Sequence, residues 1–251
     1  YDLATRKYAL IHGFHAAHCG RVLEMVPKLQ ELPLVLTMTG TDINYDLKKL
    51  ENYSLIRTLQ LVKRIVVFNA DFKEVLVGIN PEWENKVVII PQGVMLETGN
   101  PKSRSEFGLT LDDFVFLLPS GLRPVKHIEL AIDALEKLQE QYPEVRLLII
   151  GTTIDPEYSR QIIKRIENLS WVTYLGEVPH EEMKNILLLG DVVINTSWAE
   201  GQPQGALEAM SLGKPAILTA VPGNLNIITP GQEGFYIKDV EEFIRDIPLP
   251  K

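Results

Sequence analysis

Two carboxylates eight positions apart, Glu200 and Glu208, stand in the run Asn195-Thr-Ser-Trp-Ala-Glu200-Gly-Gln-Pro-Gln-Gly-Ala-Leu-Glu208-Ala-Met. Carboxylates accept hydrogen bonds from paired hydroxyls, as a sugar or a ribose offers. A second cluster, Ser120-Gly121-Leu-Arg123-Pro-Val-Lys126-His127, sets a guanidinium and an ammonium three positions apart. Joined to a helix N-terminus, that pair would hold a diphosphate, and Gly121 would let the backbone approach it closely. Singly, these residues also read as ordinary surface charges. Spacing, context and the presence of both clusters favour a ligand site.

A third group, Ile11-His12-Gly-Phe-His15-Ala-Ala-His18-Cys19, places three histidines at a strand end and helix start. Spacings of three and three would allow zinc, but no acidic fourth ligand or partner motif is adjacent, and no metal site is expected. No Asp-x-Asp motif occurs, so a required divalent metal or other cofactor is not expected either. Thr41 and Asp42 follow another strand. They could touch a substrate or cap the next helix, with capping slightly favoured.

These residues need elements to position them. Asp191–Asn195 reads as a buried parallel strand, then a polar turn, then a helix over 204–212. Glu200 is therefore in a loop and Glu208 on a helix, at the strand ends where open α/β sheets bind ligands. Short apolar runs alternate with helical patterns throughout. Strands are expected at 8–14, 33–38, 64–68, 86–90, 114–119, 146–150, 171–174, 191–195, 216–219 and 235–237. Helices are expected near 17–30, 45–61, 71–77, 126–141, 156–169, 180–189 and 204–212. The alternation implies parallel sheets with right-handed crossovers. The expected fold is α/β, with two Rossmann-like domains facing a cleft: residues 1–98, an incomplete N-terminal domain, and residues 99–251, a C-terminal domain. The polar run 97–105 reads as the linker.

Composition narrows the function. A 251-residue chain that is 45% hydrophobic can bury a sizeable core. The net charge of −8 argues against a nucleic-acid partner. All of it arises in residues 99–251, which carry 14 basic and 22 acidic side chains. An anion bound there must rely on a few local cations and backbone amides. One cysteine fits a reducing compartment, and a cytoplasmic location is expected. No apolar run reaches transmembrane length. The chain opens at Tyr1 without an initiator methionine and ends at Pro248-Leu-Pro-Lys251, as a truncated protein would. The dinucleotide fingerprint G-x-G-x-x-G and the Walker A sequence are both absent.

Taken together, the motifs resemble the retaining GT-B glycosyltransferases of the glycosyl transferases group 1 type. The likeness rests on Glu200-x7-Glu208 with Gly213-Lys-Pro215, Gly121-Leu-Arg123-x-x-Lys126, Pro91-Gln-Gly-Val94, Val172-x-Tyr-Leu-Gly176-Glu-Val178-Pro and Pro222-Gly-Asn224 with Gly234-Phe. It covers residues 99–251 and is weaker before them. Thr39-Gly-Thr-Asp42 and Ile150-Gly-x-x-Ile-Asp155-Pro156 are similar to the glycosyltransferase 1 domain-containing and selenosugar-synthase-like groups.

The resemblance implies transfer of a hexose from a nucleotide sugar, UDP-linked, to an unidentified acceptor with retention of configuration. It implies that Glu208 binds the ribose, Glu200 the hexose hydroxyls, and Arg123 and Lys126 the diphosphate. Amides near Gln204 and Gly205 would face the distal phosphate or sugar, and Val178 would line the base pocket. His15, at the first strand's end, would face the transferred sugar, leaving His12 directed into the sheet. Many members have Gly-Phe-Gly after the first glutamate. Here Gly201-Gln-Pro203-Gln-Gly205 stands instead, and the proline removes an amide donor. Two alternatives stay open: a non-catalytic nucleotide-sugar-binding protein, and a GT-B epimerase or phosphorylase.

Overall fold

The computed structural model describes residues 7–49 and 52–246. They form two compact units. One runs to Gln92 and includes Ala199–Gln202; the other comprises Gly93–Trp198 and the residues from Pro203 onward. Residues 1–6, 50–51 and 247–251, which include Tyr1 and the Pro248-Leu-Pro-Lys251 end, lie outside the described residues.

In the first unit four parallel strands lie side by side in chain order: β1 (Ile11–Phe14), β2 (Leu34–Thr37), β3 (Arg64–Val67) and β4 (Val87–Ile89). Parallel neighbours cannot be joined by tight turns. The crossovers are made by α1 (Ala16–Met25), α2 (Thr41–Asn44) with α3 (Tyr53–Leu61), and α4 (Ala70–Ile79). Leu34, Leu36, Ile65 and Val67 of the strands are buried with Leu23, Leu55, Leu59 and Phe72 of the helices.

The single helix expected over 45–61 is not formed among the described residues. A 3-10 turn, Asp46–Lys48, is followed by extended Lys49, and α3 starts only at Tyr53. The Asn52 side-chain amide donates to the Asp46 carbonyl. That local side-chain bond competes with helix continuation, as asparagine commonly does.

The second unit is a six-stranded sheet in the order β10-β9-β8-β5-β6-β7, every neighbouring pair parallel. Its strands are β5 (Phe114–Pro119), β6 (Val145–Ile150), β7 (Val172–Gly176), β8 (Val192–Asn195), β9 (Ala216–Thr219) and β10 (Gly234–Ile237). The helices are α5 (Ile128–Gln139), α6 (Pro156–Ile166), α7 (His180–Leu187), α8 (Gln204–Ser211) and α9 (Val240–Asp246). Along β5, Phe116 and Leu118 face a core with Ile132 and Leu135 of α5. The intervening Val115 and Leu117 face another, with Leu187 of α7 and Ala209 of α8. Burial on both faces explains why this strand is an unbroken apolar run. The strand order departs from β5 in opposite directions, to β6 and to β8. That is a topological switch point, where loops after the two strands diverge to leave a ligand crevice.

The polar run expected as a linker ends differently. Ser103 and Glu106 form a capping box around the 3-10 turn Arg104–Phe107. The Arg104 guanidinium makes two bonds to Asp191, at 2.9 and 2.8 Å, and another to the Asp113 carbonyl. This charge-assisted pair, with Nη2 reaching both carboxylate oxygens, fixes the stretch to the second unit.

Candidate active site

The loops after β5 and β8 are stitched together. Beyond β5 the chain runs through Gly121 and Arg123 into a 3-10 turn, Pro124–Lys126. Thr196 donates its hydroxyl to the Lys126 carbonyl at 3.0 Å, and the Trp198 amide donates to the Val125 carbonyl at 2.9 Å. The helix expected from Lys126 therefore begins two residues later, at Ile128. His127 between them takes a left-handed conformation, φ 44°. Arg123 and Lys126 are both half-buried, and the Arg123 Nε is buried without a hydrogen-bond partner. A buried guanidinium nitrogen left without an acceptor matches an anion site better than a solvated helix start. Gly121 lies against Ile154, so a side chain there would clash with it.

Helix α8 follows β8. Pro203 precedes its first residue, where the missing N–H is no loss, and the first-turn amides of Gln204 and Gly205 lack intrahelical partners by construction. Gly205 packs so tightly on Pro119 that a Cβ would come within 2.7 Å of it. Glu208 is buried within this helix. Its Oε1 accepts from Gln204 Nε2 at 3.1 Å and lies 3.5 Å from His180 Nε2. Gln204 also reaches the Gly93 carbonyl at 3.3 Å. Val178 is half-buried in the core that contains α7 and α8. The structure thus joins Gln204, Gly205 and Glu208 on one helix, and Gly121, Arg123 and Lys126 on one loop. His180 escaped the sequence reading because its contact with Glu208 spans 28 positions and carries no motif.

Glu200 belongs to the segment grouped with the first unit. It is buried, and its carbonyl accepts from Asn44 Nδ2 at 3.0 Å. Gln202 accepts from the Gln92 amide at 2.7 Å. Gly201 sits against Thr39 and Gly40, whose φ is 110°; a Cβ on either would collide with the other's backbone. Glycine is required on both sides of that contact.

In the first unit, His15 caps α1 with φ 63°, a strained value for a residue other than glycine. Its ring stacks on His18 at 4.1 Å between centroids, and Nε2 lies 3.7 Å from Asp46. Its Nδ1 is buried without a partner. His12 does not point into the sheet. It is exposed on the edge strand β1 and bonds Thr37 Oγ1 at 2.8 Å. Asp42 does not cap the helix that follows it. Fully buried, it accepts from the amides of Thr39, Gly40 and Ile43 and from Ala16 at the start of α1. Four amide donors leave its carboxylate committed to structure.

A family model, "Glycosyl transferases group 1", matches residues 100–248. The chain belongs to this family. Glycosyltransferase 1 domain-containing protein 1 of Xenopus tropicalis is 27% identical over 85% of the chain and 64% of its own length. The UDP-Gal:alpha-D-GlcNAc-diphosphoundecaprenol alpha-1,3-galactosyltransferase of Escherichia coli is 26% identical over 96% of the chain and 66% of its own. The chain spans 43% of the length of a further relative, the putative glycosyltransferase EpsD of Bacillus subtilis. Among solved structures, Anabaena HepE in complex with UDP-glucose superposes with a TM-score of 0.79 at 21% identity, covering 95% of this chain and 67% of that one. The family member described here thus has the GT-B fold, two Rossmann-like parallel-sheet units. Among its described residues no helix is long and apolar enough to cross a membrane.

Proposed function

We propose that the chain is part of a glycosyltransferase that moves a hexose from a UDP-linked sugar to an acceptor hydroxyl with retention of configuration. The observation that carries this reading is the stitched β5–β8 junction, with Arg123 and Lys126 on one loop and the α8 amides with Glu208 on the next element. Such a junction suits a nucleoside diphosphate: cations and helix amides for phosphate, a buried carboxylate for paired ribose hydroxyls. The UDP-glucose bound by the Anabaena protein and the UDP-galactose named for the Escherichia coli relative support the choice of base.

In this proposal Glu208 binds the ribose and Val178 lines the base pocket. Arg123 and Lys126 hold the diphosphate. As the bond from sugar C1 to the phosphate oxygen breaks, they stabilise the charge that collects on departing UDP. The acceptor oxygen bonds to C1 on the face that UDP leaves and gives up its proton to the departing phosphate oxygen, so no protein nucleophile is involved. Glu200 and the amides of Gln204 and Gly205 orient the hexose and distal phosphate, and His15 contacts the transferred sugar. Positioning and charge stabilisation supply the rate enhancement, and no divalent metal is called for. The single Cys19 fits a reducing, cytoplasmic setting.

A thermal-shift panel of UDP-glucose, UDP-galactose, UDP-N-acetylglucosamine, GDP-mannose and ADP-glucose tests the donor class. A UDP-sugar should raise Tm, because a ligand of the native state stabilises it. A rise with the GDP or ADP sugar alone contradicts the base assignment, and no rise with any contradicts the nucleotide-sugar reading.

A further inference from the structure

Outside the residues assigned to the nucleotide sugar, the second unit carries a groove of about 520 Å³ between α5 and the start of α9. A smaller hollow of about 140 Å³ shares His127, Leu130, Trp198 and Lys238 with it. None of Gly121, Arg123, Lys126, Val178, Gln204, Gly205 or Glu208 lines either space. At its head stands Trp198, 59% exposed, whereas the other two tryptophans, Trp83 and Trp171, are buried. An indole exposed at a groove mouth offers a ligand a broad apolar face with a polar N–H edge.

The indole is held in place. His127 stacks beneath it at 4.0 Å between ring centroids, with the planes 17° apart. The Trp198 amide is bonded to Val125. His127 bears two unfavourable features, a left-handed φ of 44° and a buried Nδ1 without a partner. Strain and an orphaned polar atom in one residue are typical of a site kept for use. Burial lowers the pKa of this imidazole, which keeps it an uncharged support for the ring.

Several of the charged side chains along the groove are engaged with one another. Asp133 and Glu136 on α5 are both paired with Arg165. Lys137 pairs with Glu241 across the groove at 3.7 Å, and Asp239 accepts the Glu242 amide. Lys238 and Glu140, of opposite sign, also line the groove, and among the described residues neither side chain takes part in these pairs. A neutral polyol with a flat C–H face would find an aromatic platform, one donor and one acceptor.

We propose that this groove binds a neutral oligosaccharide, one sugar ring lying on the open side of the Trp198–His127 stack and the next ones extending along α5 between Glu140 and Lys238. Because Trp198 is the exposed tryptophan, its emission reports occupancy. Titration with maltopentaose, cellopentaose and chitopentaose should give a saturable emission change with at least one of them. Excess UDP should leave it intact. Trp198→Ala should weaken the binding seen by calorimetry about tenfold or more, the scale of losing one stacking aromatic. The same variant should keep its affinity for UDP within about twofold. Glu140→Ala, which retains the reporter, should weaken the fluorescence titration. No saturable change with any of the three sugars overturns the proposal. So does competition by UDP, undiminished binding by Trp198→Ala, or a response to spermine in place of the sugars.

Discussion

His180 Nε2 lies 3.5 Å from Glu208 Oε1, across the gap between α7 and α8. Gln204 approaches the same oxygen from one turn earlier in α8. The buried carboxylate proposed to bind ribose is thus already oriented before a nucleotide arrives. His180 is half exposed, so the pair contributes no more than about 0.5–1 kcal/mol. His180→Ala should raise the Kd for UDP-glucose about two- to fivefold. Tighter binding by the variant would mean that the histidine competes with the ribose instead of orienting its acceptor.

Arg123 and Lys126 are less exposed than charged residues at a solvated helix start would be. The double substitution Arg123→Ala/Lys126→Ala should abolish measurable UDP binding, since two charge-assisted contacts to phosphate are lost together. It should also lower Tm by a few degrees, because the half-buried stem of Arg123 packs as well as charges. Wild-type affinity for free UDP in the double variant would place the phosphate site elsewhere.

His15 offers a division between rate and binding. In protein carrying the full activity, His15→Ala should lower kcat about 100-fold, as loss of one well-placed transition-state contact does. The Kd for donor should move by less than about twofold. His15→Gly should in addition raise stability by about 1 kcal/mol, because glycine adopts φ 63° without the cost paid by histidine. Equal losses of binding and rate would assign His15 a packing role.

The strands and their parallel pairing were legible because each strand is a short apolar run bounded by polar turns, as at Phe114–Pro119 and Ala216–Thr219, but their order in the two sheets was not. The placement of Glu200 in a loop and Glu208 on the helix after it was legible because spacing within one loop–helix unit is written in the chain. Contacts between distant elements were not. His180 meets Glu208, Trp198 meets His127, and Asp42 meets the amide of Ala16 only after the elements stack. The left-handed turn at His127 was hidden for another reason. Helical periodicity runs on from Lys126 into α5, and nothing local to a histidine announces positive φ.

His127 ties stability to pH. Burial is the main cause of its depressed pKa, partly offset by Glu129 and Asp133. The unfolded chain therefore takes up a proton at this residue more readily than the folded one. Its contribution to stability is complete above the ordinary histidine value of 6.5 and is lost as pH falls from there through the lower folded value. In thermal melts, His127→Asn should flatten the decline in Tm below about pH 6.5. An unchanged slope would show that another group governs the acid limb.

Glu208 is where the account is most exposed to test. Calorimetric titration of UDP-glucose into wild type and Glu208→Ala compares the two proteins on the single contact assigned to the ribose. Removing a buried carboxylate that accepts charge-assisted hydrogen bonds should cost on the order of 2–3 kcal/mol, about a 30- to 150-fold rise in Kd. A Kd unchanged within error would contradict the ribose assignment, and with it the nucleotide-sugar site built around α8.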